Sequence, residues 1–229
     1  MILYSNFYFD ECTDLIIYSF IKLSSMNKTH VSGIGIILII ATILVAPSVQ
    51  TSLAHQTALF EINGKDYLFE VGSADEPIFV DDKTNVILEA IYPNATNPTD
   101  FEANGTQPIT GLEDMLKVEI LAGSKNMTSN FEPAFGEVGN YESETFYPSV
   151  ATTFDYRIYG NINGTNFDYT FSCTPEGEQR ASDNSTVDVS ENVVRKALIG
   201  GYGCPQDRTG FPEPYVSQYE IRQQLNTTG

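Results

Sequence analysis

The chain predicts an all-β domain folded as a β-sandwich, and three features carry that expectation. Short runs with alternating apolar residues recur at close spacing through the chain after residue 55, with no sustained helical period. Two of these runs meet at Asn63-Gly64, the residue pair that suits a two-residue type I′ hairpin turn. Two cysteines, Cys173 and Cys204, stand in the same region, where one disulfide would fix the end of the fold.

Before the first strand the chain reads as export machinery. Residues 1–25 carry Asp10, Glu11 and Asp14 beside an apolar patch, a composition that does not open a signal. Met26 does: Lys28 and His30 lead into the apolar run Val31–Ala46, Pro47 breaks it, and Ser52-Leu53-Ala54 supplies small residues at −3 and −1. The reading is a mis-assigned upstream segment over 1–25 and a signal peptide over 26–54, cut before His55. The run is shorter than the ~20 apolar residues of a usual spanning helix. Left uncleaved, residues 31–49 would instead attach the protein to a membrane.

Residues 55–210 read as the β domain. In ALFEINGKDYLFEV, Phe60 and Ile62 share one face of a first strand, and Tyr67, Phe69 and Val71 share one face of a second. PIFV and NVILEAIY are further short strands, and Asn94–Thr110 is a loop rich in Pro, Asn, Thr and Gly. Leu116, Val118 and Ile120 alternate with Lys117 and Glu119. NYESETFYPSV is a weaker strand that stops at Pro148. TFDYRIYG and NFDYTFSC alternate aromatics and form a second long hairpin linked through Gly160–Gly164. NVVRKALI is a strand or a short helix, after which GGYGCP brings Cys204 back towards Cys173. Residues 211–229 form a Pro-containing exit and a polar tail in which SQYEIRQQL has helical character.

Charge narrows the function. Two of the 12 Lys and Arg and three of the 30 Asp and Glu precede His55, leaving a net charge of −17 on the rest. Such a surface repels nucleic acid and anionic lipid, so no nucleic-acid partner is expected. The cysteine pair would close a loop of about 31 residues and stabilise the fold by ~3–4 kcal/mol. Asn94, Asn104, Asn126, Asn163, Asn184 and Asn226 each begin an Asn-x-Ser/Thr sequon, where composition alone gives roughly two. The excess points to an extracellular or cell-surface glycoprotein.

Residues 136–160, GEVGNYESETFYPSVATTFDYRIYG, carry a family phrase: a Gly-x-Tyr opening one strand, an x-Pro closing it, and an aromatic-alternating strand ending in Gly. This resembles the small secreted immunoglobulin-like domains of the FixH/YtkA and CopC-like group. The resemblance implies an immunoglobulin-like sandwich and an association with copper handling, with a mature amino-terminal histidine as copper ligand, the position His55 matches. The chain departs from that pattern in having no second mature histidine, since His30 lies in the signal, and no Met-rich run around Met115 or Met127.

Catalysis has little to stand on. A Ser-His-Asp or Cys-His arrangement needs a base, and His55 is the one histidine after the signal. Asp75, Glu76, Asp81 and Asp82 are hard oxygen donors of the kind calcium takes, but their spacing does not fit an EF-hand loop, and a solvated acidic turn is the competing reading. The expected function is therefore a non-catalytic extracellular or cell-envelope module with an envelope protein as partner and no cofactor. The alternative is a periplasmic-type copper protein using His55. Amino-terminal sequencing of the native product should begin at His55; a retained Met26 or a cut elsewhere would defeat this reading of the export signal.

Overall fold

Asn63 and Gly64 hold φ angles of 50° and 76°, the left-handed pair of a type I′ turn, and fold β1 (His55–Ile62) back onto β2 (Lys65–Ser73). The structure, a computed structural model, describes residues 55–178 and 182–227. The upstream segment over 1–25 and the signal over 26–54, with its apolar run, lie outside the described residues. Along the described chain follow β3 (Val86–Tyr92), β4 (Gln107–Pro108), β5 (Leu116–Ala122), β6 (Lys125–Pro133) and β7 (Asn140–Ser143). Then come β8 (Asp155–Ile162), β9 (Thr165–Ser172), β10 (Val187–Ser190), β11 (Val193–Gly200) and one helix, α1 (Gln218–Thr227). No helix among the described residues is long and apolar enough to cross a membrane.

The strands pair antiparallel along a single path, β10-β11-β1-β2-β3-β7-β6-β5-β8-β9, with β4 added on β3. The two ends of the path meet: the Ser190 hydroxyl on β10 donates to the Asn166 carbonyl on β9 at 3.1 Å. The all-β expectation holds, but the sheet is barrel-like and nearly closed, where two facing sheets were expected. Alternation tells which side chains face inward. It does not tell whether successive hairpins curl into one sheet or split into two.

Inward residues fall where alternation put them. Phe60, Ile62, Tyr67, Phe69, Val71, Leu116, Val118, Ile120, Tyr156, Ile158, Phe167 and Phe171 are all buried in one core. Phe60 is its hub. Its ring lies 5.7 Å from Phe69, 5.1 Å from Phe167, 5.0 Å from Tyr169 and 6.4 Å from Phe171, so one β1 side chain binds β2 to β9 across the interior. Each tilted or edge-on pair adds ~0.5–1.5 kcal/mol to the burial itself. A smaller cluster sits on the outer face, where Leu59, Leu68, Ile91 and Ala197 are covered by Phe101.

Several segments differ from expectation in informative ways. Gly160 is no turn residue: β8 runs through it to Ile162, and Asn163-Gly164 alone makes the turn to β9. A Cβ at Gly160 would collide with the Met115 carbonyl, so glycine is required there by the close approach of the preceding chain. PIFV makes only an isolated bridge, Phe79 to Gln206. NVVRKALI is β11, a strand beside β1. β6, KNMTSNFEP, was not anticipated, because only Ser129 and Phe131 of its nine residues are buried and no apolar alternation marks it.

Cys173, just past β9, is bonded to Cys204, with Cα atoms 4.9 Å apart. The bond joins the barrel to the segment that follows β11. That segment is then laid along residues 74–82: the Gln206 amide donates to the Ile78 carbonyl and the Val80 amide to the Gln206 carbonyl, both at 2.9 Å. Cys204→Ser should therefore raise amide hydrogen exchange first in residues 202–217, before the barrel strands, and the unreduced mature protein, cut before His55 and so without Cys12, should yield no free thiol on denaturation. Uniform loosening of the whole domain in the variant would contradict this order.

Candidate functional site

β1 begins at His55, directly opposite Gly72 on β2. A side chain at Gly72 would collide with the His55 ring, so the glycine makes the seat on which the imidazole rests. From that seat His55 Nδ1 lies 2.8 Å from Oε1 of Glu70. The other Glu70 oxygen accepts the Thr57 hydroxyl at 3.2 Å. His55, Thr57 and Glu70 share the outer face of the sheet because the β1–β2 register pairs Thr57 with Glu70.

The next strand adds a like charge. Glu89 on β3 stands directly opposite Glu70, and Asn140 on β7 stands opposite Glu89. With Glu137 from the loop before β7 and Glu142 on β7 itself, these side chains line a cleft of about 80 Å³, to which Ile87 also contributes. His55 is the one basic group among its lining residues. Asn140 Nδ2 donates to Glu137 at 2.7 Å and Asn85 Nδ2 to Glu142 at 3.0 Å. Phe135 and Val138, next in sequence to the lining residues Ala134 and Glu137, are exposed.

The electrostatics follow from this crowding. The hydrogen bond to Glu70 raises the His55 pKa above its ordinary 6.5 against the opposing effect of burial, and the charges of Glu70, Glu76 and Glu89 add to the rise. Burial pushes the Glu89 carboxyl up, and the neighbouring Glu70, Glu102 and Glu137 push it further. Two carboxylates directly opposite on neighbouring strands repel, so the fold itself gains nothing from the Glu70–Glu89 pairing.

The candidate calcium residues are engaged elsewhere. Glu76 accepts the amides of Ser73 and Gly203 at 3.3 and 3.1 Å, and burial raises its pKa. Asp81 accepts the Tyr215 hydroxyl at 2.8 Å and the Gln218 amide at 3.0 Å, holding the start of α1. Asp82 pairs with Arg208. Asp75 is an exposed turn residue at φ 59°. Three of the four acids thus fasten the C-terminal segment. Among the described residues, no group of three or more His, Cys, Asp or Glu side chains is placed to hold a metal ion.

The sequons Asn104, Asn126, Asn163, Asn184 and Asn226 are exposed, and Asn94 is half-buried. Sequence reasoning singled out His55 but missed Glu70, Glu89, Glu137 and Glu142. Glu70 and Glu89 do occupy outward positions in their strands, a visible signal, but only the register makes them neighbours. Comparison with protein-family models, curated proteins and solved structures finds no match for the chain.

A histidine whose folded pKa is raised stabilises the fold fully below its unfolded value and loses that contribution as pH rises through the folded pKa. Titration of the His55 ring by NMR should give a pKa above 6.5, and Glu70→Gln should bring it back down. Stability should fall on going from about pH 6 to about pH 8 in the wild type, and less so in the variant. An unshifted His55 would break the pairing with Glu70.

Proposed function

We propose that the domain is a non-catalytic extracellular or cell-envelope module that binds a protein partner of opposite charge through the cleft face of β2, β3 and β7. The observation that carries this reading is the opposed pair Glu70 and Glu89, set in a concave acidic surface with one histidine as its basic group. Local repulsion that does nothing for the fold is the kind of inconsistency that functional sites retain. The exposed Phe135 and Val138, in the segment that carries the lining residues Ala134 and Glu137, offer apolar contact. The disulfide suits an oxidising, extracellular-type compartment. Kinship with the immunoglobulin-like FixH/YtkA and CopC-like domains, membrane attachment through residues 31–49 and glycosylation belong to the same proposal and rest on the sequence.

A second reading, copper binding at His55, draws on one feature. A ligating imidazole usually gives its other ring nitrogen to a carboxylate, and Glu70 holds Nδ1 in that way while leaving Nε2 for a ligand. Chelation through Nδ1 and a terminal amine would first have to break the bond to Glu70. Cu(II) also favours about four N/O donors, and His55 is the one imidazole among the described residues.

One experiment separates the two readings. Protein purified from its own host is analysed for metal and titrated with Cu(II) beside His55→Ala, while host envelopes are cross-linked with the wild type and with Glu89→Gln/Glu142→Gln. The expected result is no stoichiometric copper, together with a cross-linked partner whose recovery falls at least about tenfold in the double variant, the effect of losing ~1.4 kcal/mol. Stoichiometric copper that disappears in His55→Ala would make the second reading the right one.

A further inference from the structure

The six sequons share a three-residue signature, but the fold uses their carboxamides in different ways. Asn94 opens the loop between β3 and β4. Its Oδ1 accepts the amides of Thr96 at 2.7 Å and Asn97 at 3.2 Å, closing an Asx turn. Its Nδ2 reaches across the loop and donates to the Asn104 carbonyl at 2.6 Å. Gly105 lies against the same nitrogen, so close that a Cβ there would be 3.6 Å from Nδ2. One half-buried side chain thus joins positions ten residues apart, the two ends of the loop. Between them sits Phe101, the residue that covers Leu59, Leu68, Ile91 and Ala197 on the outer face.

Asn104, Asn184 and Asn226 differ. All three are exposed, and none of their carboxamides makes a hydrogen bond among the described residues. Asn126 and Asn163 are exposed too, but their amides donate to Glu119 and to the Tyr67 hydroxyl.

We infer that Asn94 is a structural staple that carries no glycan, and that Asn104, Asn184 and Asn226 are the glycan acceptors. The inference rests on the reading of the domain as an exported glycoprotein. In the transfer, Nδ2 attacks the anomeric carbon of a lipid-linked sugar donor. The new N–C bond forms as the bond from that carbon to the carrier phosphate breaks. The phosphate leaves with the electron pair, and Nδ2 gives up one proton. The attacking nitrogen must be reachable and must accommodate a sugar ring. At Asn94 the ring would displace the Asn104–Gly105 turn and release Phe101. At the other three positions it would enter solvent.

The two roles come apart by substitution within one sequon. Thr96→Ala destroys the acceptor signature but keeps the Asn94 carboxamide and its bond from the residue-96 amide, whereas Asn94→Ala removes the signature and the carboxamide together. Expressed in the native host, Thr96→Ala should match the wild type in glycan mass and in melting temperature. Asn104→Gln should lose one glycan and keep its melting temperature. Asn94→Ala should melt about 3–6 °C lower and be cut sooner by protease within residues 93–106. A glycan mapped to Asn94, a glycan lost in Thr96→Ala, or an Asn94→Ala protein that melts with the wild type would overturn the inference. A host product without any glycan would remove the acceptor assignment and the glycoprotein reading together, while the melting of Asn94→Ala would still decide the staple.

Discussion

The contact of Phe60 with Phe69, Phe167, Tyr169 and Phe171 is the constraint on which the rest of this structure depends. β1 and β9 lie far apart along the hydrogen-bonded path of the sheet, third from one end and at the other end. No backbone ladder joins them. What brings them face to face is apolar side chains shared across the interior, each worth ~1.5–3 kcal/mol when fully buried. Once β9 is drawn onto β1, the sheet must curl, and β10 arrives beside β9. The near-closure also leaves few unpaired edges, a hazard that an open sheet of this many strands would have to manage in other ways.

Closure divides the chain into an inside that is nearly all apolar and an outside that carries the charge. Two of the polar groups inside bond across the interior: the Ser73 hydroxyl meets the Tyr156 hydroxyl at 2.6 Å, and the Tyr202 hydroxyl donates to the Phe171 carbonyl at 2.9 Å. Oε1 of the buried Gln56 has no hydrogen-bond partner. Outside, some acids pair with bases along the strands, as Glu61 and Asp66 do with Lys196 and Glu119 and Asp168 do with Arg157, and two further groups contrast. Glu76, Asp81 and Asp82 are spent on fastening the C-terminal segment, which α1 ends with a capping box of Ser217 and Glu220. Glu70, Glu89, Glu137 and Glu142 converge on a cleft where the fold does not need them. Of these two groups, only the second is a candidate for recognition, because its charges remain uncompensated apart from His55 and two asparagine side chains.

His55 shows how a residue that stands out in a sequence can mean something different in three dimensions. As a letter it stood out for being the last histidine and for following Ser-Leu-Ala. In the structure its ring is seated on Gly72 and bonded to Glu70, so that it serves as the counter-charge of an acidic face. The acidic run 75–82 shows the converse. Glu76, Asp81 and Asp82 are close in sequence, yet each bonds a separate partner on the chain after β11, and they do not converge on one point.

The sequence by itself determined the class of the fold, its hairpin at Asn63-Gly64, the pairing of TFDYRIYG with NFDYTFSC in a second hairpin, the identity of the core side chains, and a cysteine pair fit to bond. All of these rest on local physics: the two-residue period of a strand, the left-handed tolerance of Asn and Gly, and the chemistry of a thiol pair. The tertiary structure alone decided that the strands form one curled sheet, that the polar stretch 125–133 is the strand β6 within it, and that Glu89 meets Glu70. Those depend on which strand lies beside which and in what register, and a shift of one residue turns every side chain to the other face. Such information lies in contacts between residues far apart in the chain, where no local pattern records it.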